Sequence, residues 1–282
     1  MHNVGFIGQG WIGRHYADNF ELRSFPVVRY SLEPPYNKNK EEIGKCDVVF
    51  IAVPTPTTPK GFDDSIVRSV LSLVGKGKIA VVKSTLLPGT TKSIQEQYPD
   101  LIVLDSPEFL SEATAAHDVA NPFSSIVGMP ASDDTHKHAA ELVLSIMPPA
   151  PFSLICSSDE SEIIKYAHNI SGYTQIVTFN LLYEVAKALG RDWSNIQRAI
   201  QADPFVSNRY ANPVHKSGRG AGGGCFIKDM AAFREIYERQ VGDVLGIAVL
   251  CALEEKNRDL LLSTNKDLSL LEGVYGPLKK HG

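Results

Sequence analysis

Val4-Gly5-Phe6-Ile7-Gly8-Gln9-Gly10-Trp11-Ile12-Gly13 is a short apolar run that passes directly into three spaced glycines. Residues 14–20 then carry helical spacing, so the segment reads strand, glycine turn, helix. Each glycine has its own task in such a unit. Gly8 permits the tight turn, Gly10 lets a pyrophosphate approach the helix N-terminus, and Gly13 lets helix and strand pack closely. Gln9, Trp11 and Ile12 complete the turn, and the segment predicts a dinucleotide-binding unit.

The next segments extend that unit. Val27–Tyr30 reads as a second strand. Where NAD is held, an acidic residue at the end of this strand bonds the adenosine ribose hydroxyls. Here Ser31 stands at that place and Glu33 two residues later, with Arg29 close by, so a 2′-phosphate stays open beside NAD. Residues 47–53 form a third strand ending in Pro54-Thr55-Pro56, and 78–82 a fourth ending in Lys83-Ser84-Thr85, with helical spacing over 64–74 between them. A fifth strand, 101–104, leads into Ser106-Pro107-Glu108-Phe109-Leu110-Ser111-Glu112, and 125–128 is a sixth. Alternating strands and helices predict an α/β, doubly wound parallel sheet whose ligands lie beyond the strand carboxyl ends. The polar residues just named fall there, although each is also ordinary turn chemistry.

Composition narrows the partners. The 282 residues carry a net charge of −4 and 43% hydrophobic side chains, with no Lys/Arg run to meet nucleic acid or an anionic membrane surface. Cys46, Cys156, Cys225 and Cys251 are widely spaced and match no metal-ligand or disulfide pattern, which suits a reducing, cytoplasmic setting. The apolar strand at Val4 leaves no room for a signal peptide, and no apolar run is long enough to cross a bilayer.

Past Pro148-Pro149-Ala150-Pro151, read as a rigid break, the pattern becomes helical. Ser158 or Asp159 is placed to cap a helix over 160–189 that stops at Gly190. Its apolar positions cover most of its circumference, which predicts central burial or a dimer seam. Lys165 and Asn169, four residues apart, share one face of it. Further helices are expected over 192–202, 230–239 and 244–262. The remainder has turn composition and ends in Lys279-Lys280-His281-Gly282, expected to fray. The boundaries read 1–150 for the dinucleotide-binding domain, 151–265 for the long helix and a small all-α domain, and 266–282 for a tail.

Gly218-Arg219-Gly220-Ala221-Gly222-Gly223-Gly224-Cys225-Phe226-Ile227-Lys228-Asp229 holds five glycines in seven residues and then a thiol. Such a loop has little side-chain bulk, so its backbone can lie against a ligand. If the chain turns helical there, Asp229 lies one turn beyond Cys225 on the same face.

Taken together, these residues resemble the UDP-glucose/GDP-mannose dehydrogenase family. The matching pieces stand in the family's order: Gly8-Gln9-Gly10-Trp11-Ile12-Gly13, Phe50-Ile51-Ala52-Val53-Pro54-Thr55-Pro56, Lys83-Ser84-Thr85 with Pro88-Gly89-Thr90, residues 106–112, Lys165 with Asn169, and residues 220–229. The resemblance runs from residue 4 to about residue 262. It implies NAD as cofactor, a UDP- or GDP-linked sugar as substrate, no metal, and oxidation of a primary alcohol to a uronate in two steps, a reaction of polysaccharide biosynthesis. Cys225 matches the family's nucleophile, and Lys165 and Asn169 its oxyanion partners. Thr85 and Asp229 match the holders of a water that acts as base, and Glu108 the carboxylate that assists hydrolysis. Ser31, Val53, Pro54, Thr55, Ser84, Thr85, Glu112 and Lys228 fall on the cofactor side. Glu108, Phe109, Leu110, Tyr210, Gly220, Gly222 and Gly223, with Lys165 and Asn169, fall on the sugar side.

The departures are as specific. This chain ends where the family continues into a second nucleotide-binding-like domain, residues 31–46 form a shorter segment than usual, and an arginine used at the family's subunit boundary falls at Phe205, with Arg209 nearby. The stretch 213–219 is more similar to the GDP-mannose or N-acetylhexosamine branch. A homodimer through the long helix is expected. Two other readings stay open: a single-step hydroxyacid dehydrogenase of the 6-phosphogluconate type, and a nucleotide-binding relative that does not turn over.

Overall fold

Four-residue apolar runs need no polar alternation when both their faces are covered, and they form the centre of the first unit. The computed structural model describes residues 2–207 and 209–278. Its elements begin with β1 (Val4–Ile7), α1 (Trp11–Leu22), β2 (Val27–Tyr30), α2 (Lys40–Ile43), β3 (Val48–Ile51), the pair β4 (Thr57–Thr58) and β5 (Gly61–Phe62), and α3 (Ser65–Leu71). They continue with β6 (Ile79–Val82), α4 (Thr90–Gln97), β7 (Ile102–Asp105), α5 (Ala115–Ala120), β8 (Ser125–Met129), α6 (Asp134–Ile146) and β9 (Ser153–Ser157). The helical half is α7 (Ser158–Ala188), α8 (Trp193–Ala202), the hairpin of β10 (Val214–His215) and β11 (Gly218–Arg219), α9 (Gly223–Gln240), α10 (Val244–Ser263) and α11 (Leu268–Tyr275).

The expected doubly wound sheet is present, with seven strands in the order β2-β1-β3-β6-β7-β8-β9. Neighbours run parallel except β7 and β8, which meet antiparallel at Asp105 and Gly128. β1, β3 and β6 are buried at every position. Chain order reverses on either side of β1, so the ends of β1 and β3 flank the crevice where such sheets take ligands. Phe6, Phe20 and Phe50 fill the space under α1, with the Phe6 and Phe50 rings stacked 5.2 Å apart.

Residues fall into two compact units, Met1–Thr55 with Asp63–Lys165, and Pro56–Phe62 with Tyr166–Gly282. The break expected at 148–151 is therefore no boundary. β9 follows it and pairs with β8 from Ser125↔Ser153 to Met129↔Ser157, closing the first sheet before the long helix starts. The short β4–β5 hairpin belongs with the second unit, where Gly61 lies against Glu235 of α9.

The long helix starts at Ser158, earlier than expected, because its cap is Ser157. The Ser157 hydroxyl accepts from Glu160 N at 3.3 Å, and Glu160 Oε2 accepts from Ser157 N at 2.9 Å, a reciprocal capping box. The helix ends at Ala188, and Gly190, with φ of +65°, turns the chain away.

In the second unit, Tyr173 and Val177 of α7 pack with Ala221, Met230 and Leu250. The expected tail is in part a helix. Leu271 and Val274 of α11, three residues apart, bury against Ile227 and Ala231 of α9 and Leu261 of α10. Residues 279–282 lie outside the described residues.

Two glycines of the first turn separate packing from ligand space. A Cβ on Gly13 would stand 1.9 Å from Gly8 O, whereas one on Gly10 would meet nothing within 4 Å. Gly13→Ala is expected to lower stability by about 1–3 kcal/mol. Gly10→Ala should unfold within a degree or two of the parent, a contrast read directly from thermal melts.

Candidate active site

The glycine-rich stretch was expected to be a loop with its helix beginning near Met230. In the structure the helix begins seven residues earlier, at Gly223. Glycine is a poor helix former, and here contacts from distant residues override it. Asp267, at φ of +52°, places Oδ2 2.8 Å from Gly223 N and serves as a cap supplied from outside the helix. Lys266 Nζ donates to Gly220 O at 2.8 Å. Asn257, 1% exposed, accepts from Ala221 N at 2.6 Å and donates to Ala221 O at 2.9 Å. Thr264 Oγ1 takes the Arg219 N–H at 3.0 Å. Arg219 itself reaches Asn180 and Glu184 of α7 at 2.8 and 2.9 Å.

Cys225 is exposed in the first turn of α9. Asp229, one turn later, is 1% exposed and doubly held. Its Oδ2 accepts from Asn169 Nδ2 and its Oδ1 from Lys228 Nζ, both at 2.5 Å. Lys228, expected on the cofactor side, is thus an ion-pair partner of Asp229. Tyr210 packs edge-on against Phe226 at 5.7 Å, and both rings crowd Gly172.

In the first unit Lys165 is no surface lysine. It is 8% exposed and donates to Glu108 O at 2.5 Å, with its ammonium 5.4 Å from the Phe109 ring centre. Glu108 is also 8% exposed; its Oε1 accepts from Phe109 N, and its Oε2 lies 3.3 Å from Lys83 Nζ. Lys83 bonds Ser106 Oγ at 3.2 Å and sits 4.5 Å over the Tyr16 ring. Burial, and then the neighbouring Glu108 carboxylate, push the Tyr16 phenol up. Lys165 and Asn169, which share a face of α7, therefore have different partners. Phe109 pairs with Phe123 at 5.5 Å, Leu110 packs on the sheet core, and Glu112 is exposed.

The glycine turn fits a dinucleotide. Gly10 is the N-cap of α1, no side chain caps that N-terminus, and the space at Gly10 is open. Gly8 is required where it stands, at φ of +90°, because a Cβ there would meet Ala52 O at 2.3 Å. Trp11 is exposed and stacks on His15, Ile12 packs on the core, and the Gln9 amide bonds back to Gly8 O. Two of the residues expected on the cofactor side make internal hydrogen bonds. The Ser84 hydroxyl ties Val53 N and O across the ends of β6 and β3, and Ser31 Oγ donates to Glu33 O. Thr55 is buried, Pro54 exposed, and Val53 and Thr85 half-buried.

Arg29, left open as a 2′-phosphate partner, is not available for one. It is 7% exposed and pairs with Asp18 and Glu21, each at 2.7 Å. Phe205 is 95% exposed, and Arg209 lies over Tyr210. Tyr16, Asn257, Lys266 and Asp267 carry no signal in the sequence, and Lys83 stands there only as part of the motif Lys83-Ser84-Thr85. Asn257 is masked in the sequence by its charged neighbours Glu254, Glu255, Lys256, Arg258 and Asp259.

The chain thus joins a glycine-turn sheet unit, a long helix and a helical unit bearing a cysteine. The chain belongs to the UDP-glucose/GDP-mannose dehydrogenase family: the family's NAD binding domain matches residues 35–145 and its central domain residues 159–258. It is 31% identical over 248 residues to the UDP-glucose 6-dehydrogenase TuaD of Bacillus subtilis, covering 83% of this chain and 51% of that protein. A UDP-glucose dehydrogenase from Pyrobaculum islandicum superposes with a TM-score of 0.81 at 26% identity, over 99% of this chain and 72% of that one. A Mycobacterium tuberculosis 3-hydroxyisobutyrate dehydrogenase shares the fold alone, with a TM-score of 0.73 at 15% identity over 96% and 98% of the two chains. The chain spans about half the length of the curated relatives it matches.

Removing the Asn257 amide leaves two buried backbone groups of Ala221 without partners. Asn257→Ala is expected to cost about 2 kcal/mol or more in urea unfolding. Iodoacetamide should then label Cys225 at an altered rate, because the start of its helix is no longer held.

Proposed function

We propose that the chain carries out NAD-dependent, four-electron oxidation of the primary alcohol of a UDP- or GDP-linked sugar to the uronate. The observation that carries this reading is the exposed Cys225 in the first turn of a helix, with the buried Asp229 one turn beyond it. A two-electron alcohol oxidation has no use for a nucleophile, whereas an aldehyde must add one before it can lose a second hydride.

In this reading the first unit holds the cofactor and carries Thr85, Glu108 and Lys165, and the second carries Asn169, Cys225 and Asp229. Residues 8–13 hold the pyrophosphate at the start of α1. The bound nicotinamide supplies the acceptor for each hydride. Asp229, with Thr85, takes the alcohol proton through a water, and loss of hydride from the alcohol carbon gives the aldehyde. The Cys225 thiolate adds to the aldehyde carbon, forming a C–S bond and an alkoxide. Lys165 and Asn169 stabilise that oxyanion as the thiohemiacetal. Loss of the second hydride leaves a thioester, and water assisted by Glu108 cleaves the C–S bond to release carboxylate and thiol. The support for Lys165 and Asn169 is the burial of each and the partner that each has within its own unit.

The runner-up is a single-step hydroxyacid dehydrogenase, which the shared fold of the hydroxyisobutyrate enzyme supports. A nucleotide-binding relative without turnover is the third reading. NADH formation across UDP- and GDP-sugars, with products counted, separates them. Two NADH per sugar supports the proposal, one supports the hydroxyacid reading, and NAD binding without NADH supports the third. Cys225→Ser should yield at most one NADH per sugar; carboxylate at the parent rate would overturn the nucleophile.

The same reading includes a homodimer through α7, whose Leu181, Leu182 and Val185 are 46%, 48% and 58% exposed, with Leu189 just beyond its end 64% exposed. Light scattering is expected to give twice the chain mass, and a monomer with full activity overturns it.

A further inference from the structure

One turn of α7 carries two buried charged groups, Glu162 and Lys165, and only the second has a role in the reaction proposed above. Glu162 is 1% exposed. Its Oε2 accepts from Gly89 N at 2.7 Å, and its Oε1 from Thr91 N at 2.8 Å and Thr91 Oγ1 at 2.7 Å. Gly89 is the N-cap of α4 and supplies no side-chain cap of its own, so a carboxylate from another helix closes that end. The neighbouring Ser161 secures the same turn, its hydroxyl donating to Asp105 Oδ2 at 2.5 Å in a space that only a glycine at 128 leaves open.

The segment between β6 and α4, residues 83–89, is thereby held at both ends from one helical turn. At its far end Glu162 takes Gly89 and Thr91. At its near end Lys83 pairs with Glu108, whose carbonyl accepts from Lys165. Ser84 and Thr85 lie between these two anchors. We propose that Glu162 is a positioning residue whose carboxylate, by holding the start of α4, sets the segment that carries Ser84 and Thr85 against the turn that carries Lys165, and that protonating it releases the segment.

The chemistry of the contact makes it sensitive to pH. Gly89 N and Thr91 N can only donate, one to each oxygen, so a proton on Oε2 would face the Gly89 N–H and one on Oε1 the Thr91 N–H. The charged groups around Glu162 are acidic: Asp159 on its own helix and Asp105 at the end of β7, with Lys83 acting on Asp105. Burial raises the Glu162 carboxyl to about 7 against the opposing hydrogen bonds from Thr91 and Gly89. A raised carboxyl favours the folded state most below its ordinary range, and this contribution is lost as pH rises through about 7. The charged, contact-making form thus exists above that pH at a cost in stability.

The proposal rests on the dehydrogenase reading for the importance of Thr85, so its test includes a readout independent of turnover. Glu162→Gln keeps the shape but turns an N–H₂ toward one donor, a permanent copy of the released state. Amide exchange across residues 85–95, corrected for intrinsic rates, should be slow in the parent at pH 8 and faster at pH 6. In the Gln variant it should be fast at both. Turnover with NAD should fall about tenfold at pH 8 in that variant, the worth of one charge-assisted hydrogen bond, and lose its acid limb near pH 7. Thr91→Val, a milder change, removes one donor that favours the carboxylate and should move the parent's exchange midpoint up by about one unit. Parent-like exchange in Glu162→Gln, or an unmoved midpoint in Thr91→Val, overturns the proposal even if no sugar is oxidised. Absence of turnover with the predicted exchange pattern counts only against the dehydrogenase reading.

Discussion

The second unit depends on Asn257, one buried amide that answers both the N–H and the C=O of Ala221. A stretch with five glycines loses more backbone freedom on ordering than any other composition, so it stays fixed only if many contacts oppose that loss. Between Gly218 and Gly223 the contacts come from Thr264, Lys266, Asn257 and Asp267, all on α10 or the turn after it. They also explain two of the glycines. A Cβ on Gly222 would stand 2.0 Å from Asp267 Oδ2, and one on Gly220, already at φ of +89°, would press on Asn257 and Leu260. Part of the loop is glycine so that its clamps can reach it, before any ligand is considered.

The first unit solves a harder electrostatic problem. Lys83, Glu108 and Lys165 are all buried, and charged groups removed from water stabilise a fold only when closely partnered. Here each has a named partner: Lys83 with Glu108 and Ser106, Lys165 with the Glu108 carbonyl. Replacing such a set by apolar side chains would often be neutral for stability. Its presence at the carboxyl ends of β6 and β7 therefore answers to positioning, because a preorganised charge in a site of low polarity acts more strongly than the same charge in water.

How far the sequence could be read depended on where each cause lies. Strands β1, β3 and β6 were legible because an apolar run buried on both faces carries its own signal, and the glycine turn because Gly8 and Gly13 each answer to a local geometry. The start of α9 was not legible: local propensity puts Gly223 and Gly224 outside a helix, and the cap that reverses this is Asp267, 44 residues away. The cap of α7 was missed by a residue for a local reason, since Ser157, Ser158 and Asp159 are all good caps and only the Ser157–Glu160 pairing distinguishes them. The Lys165 and Asn169 spacing was read correctly as one face. Their different partners, Glu108 and Asp229, lie at distances along the chain that no periodicity reports.

Clash and conformation together sort the glycines that remain. Gly8 and Gly13 are excluded from substitution by neighbouring backbone, and Gly220 and Gly223 by positive φ. Gly10 and Gly224 are excluded by neither, since each has open space where a Cβ would go and neither has positive φ. Both begin a helix, one at α1 and the other beside Cys225 at α9, where unsatisfied N–H groups gather. Internal packing gives no reason for a missing side chain at either place, so neither position is held to glycine by the fold itself.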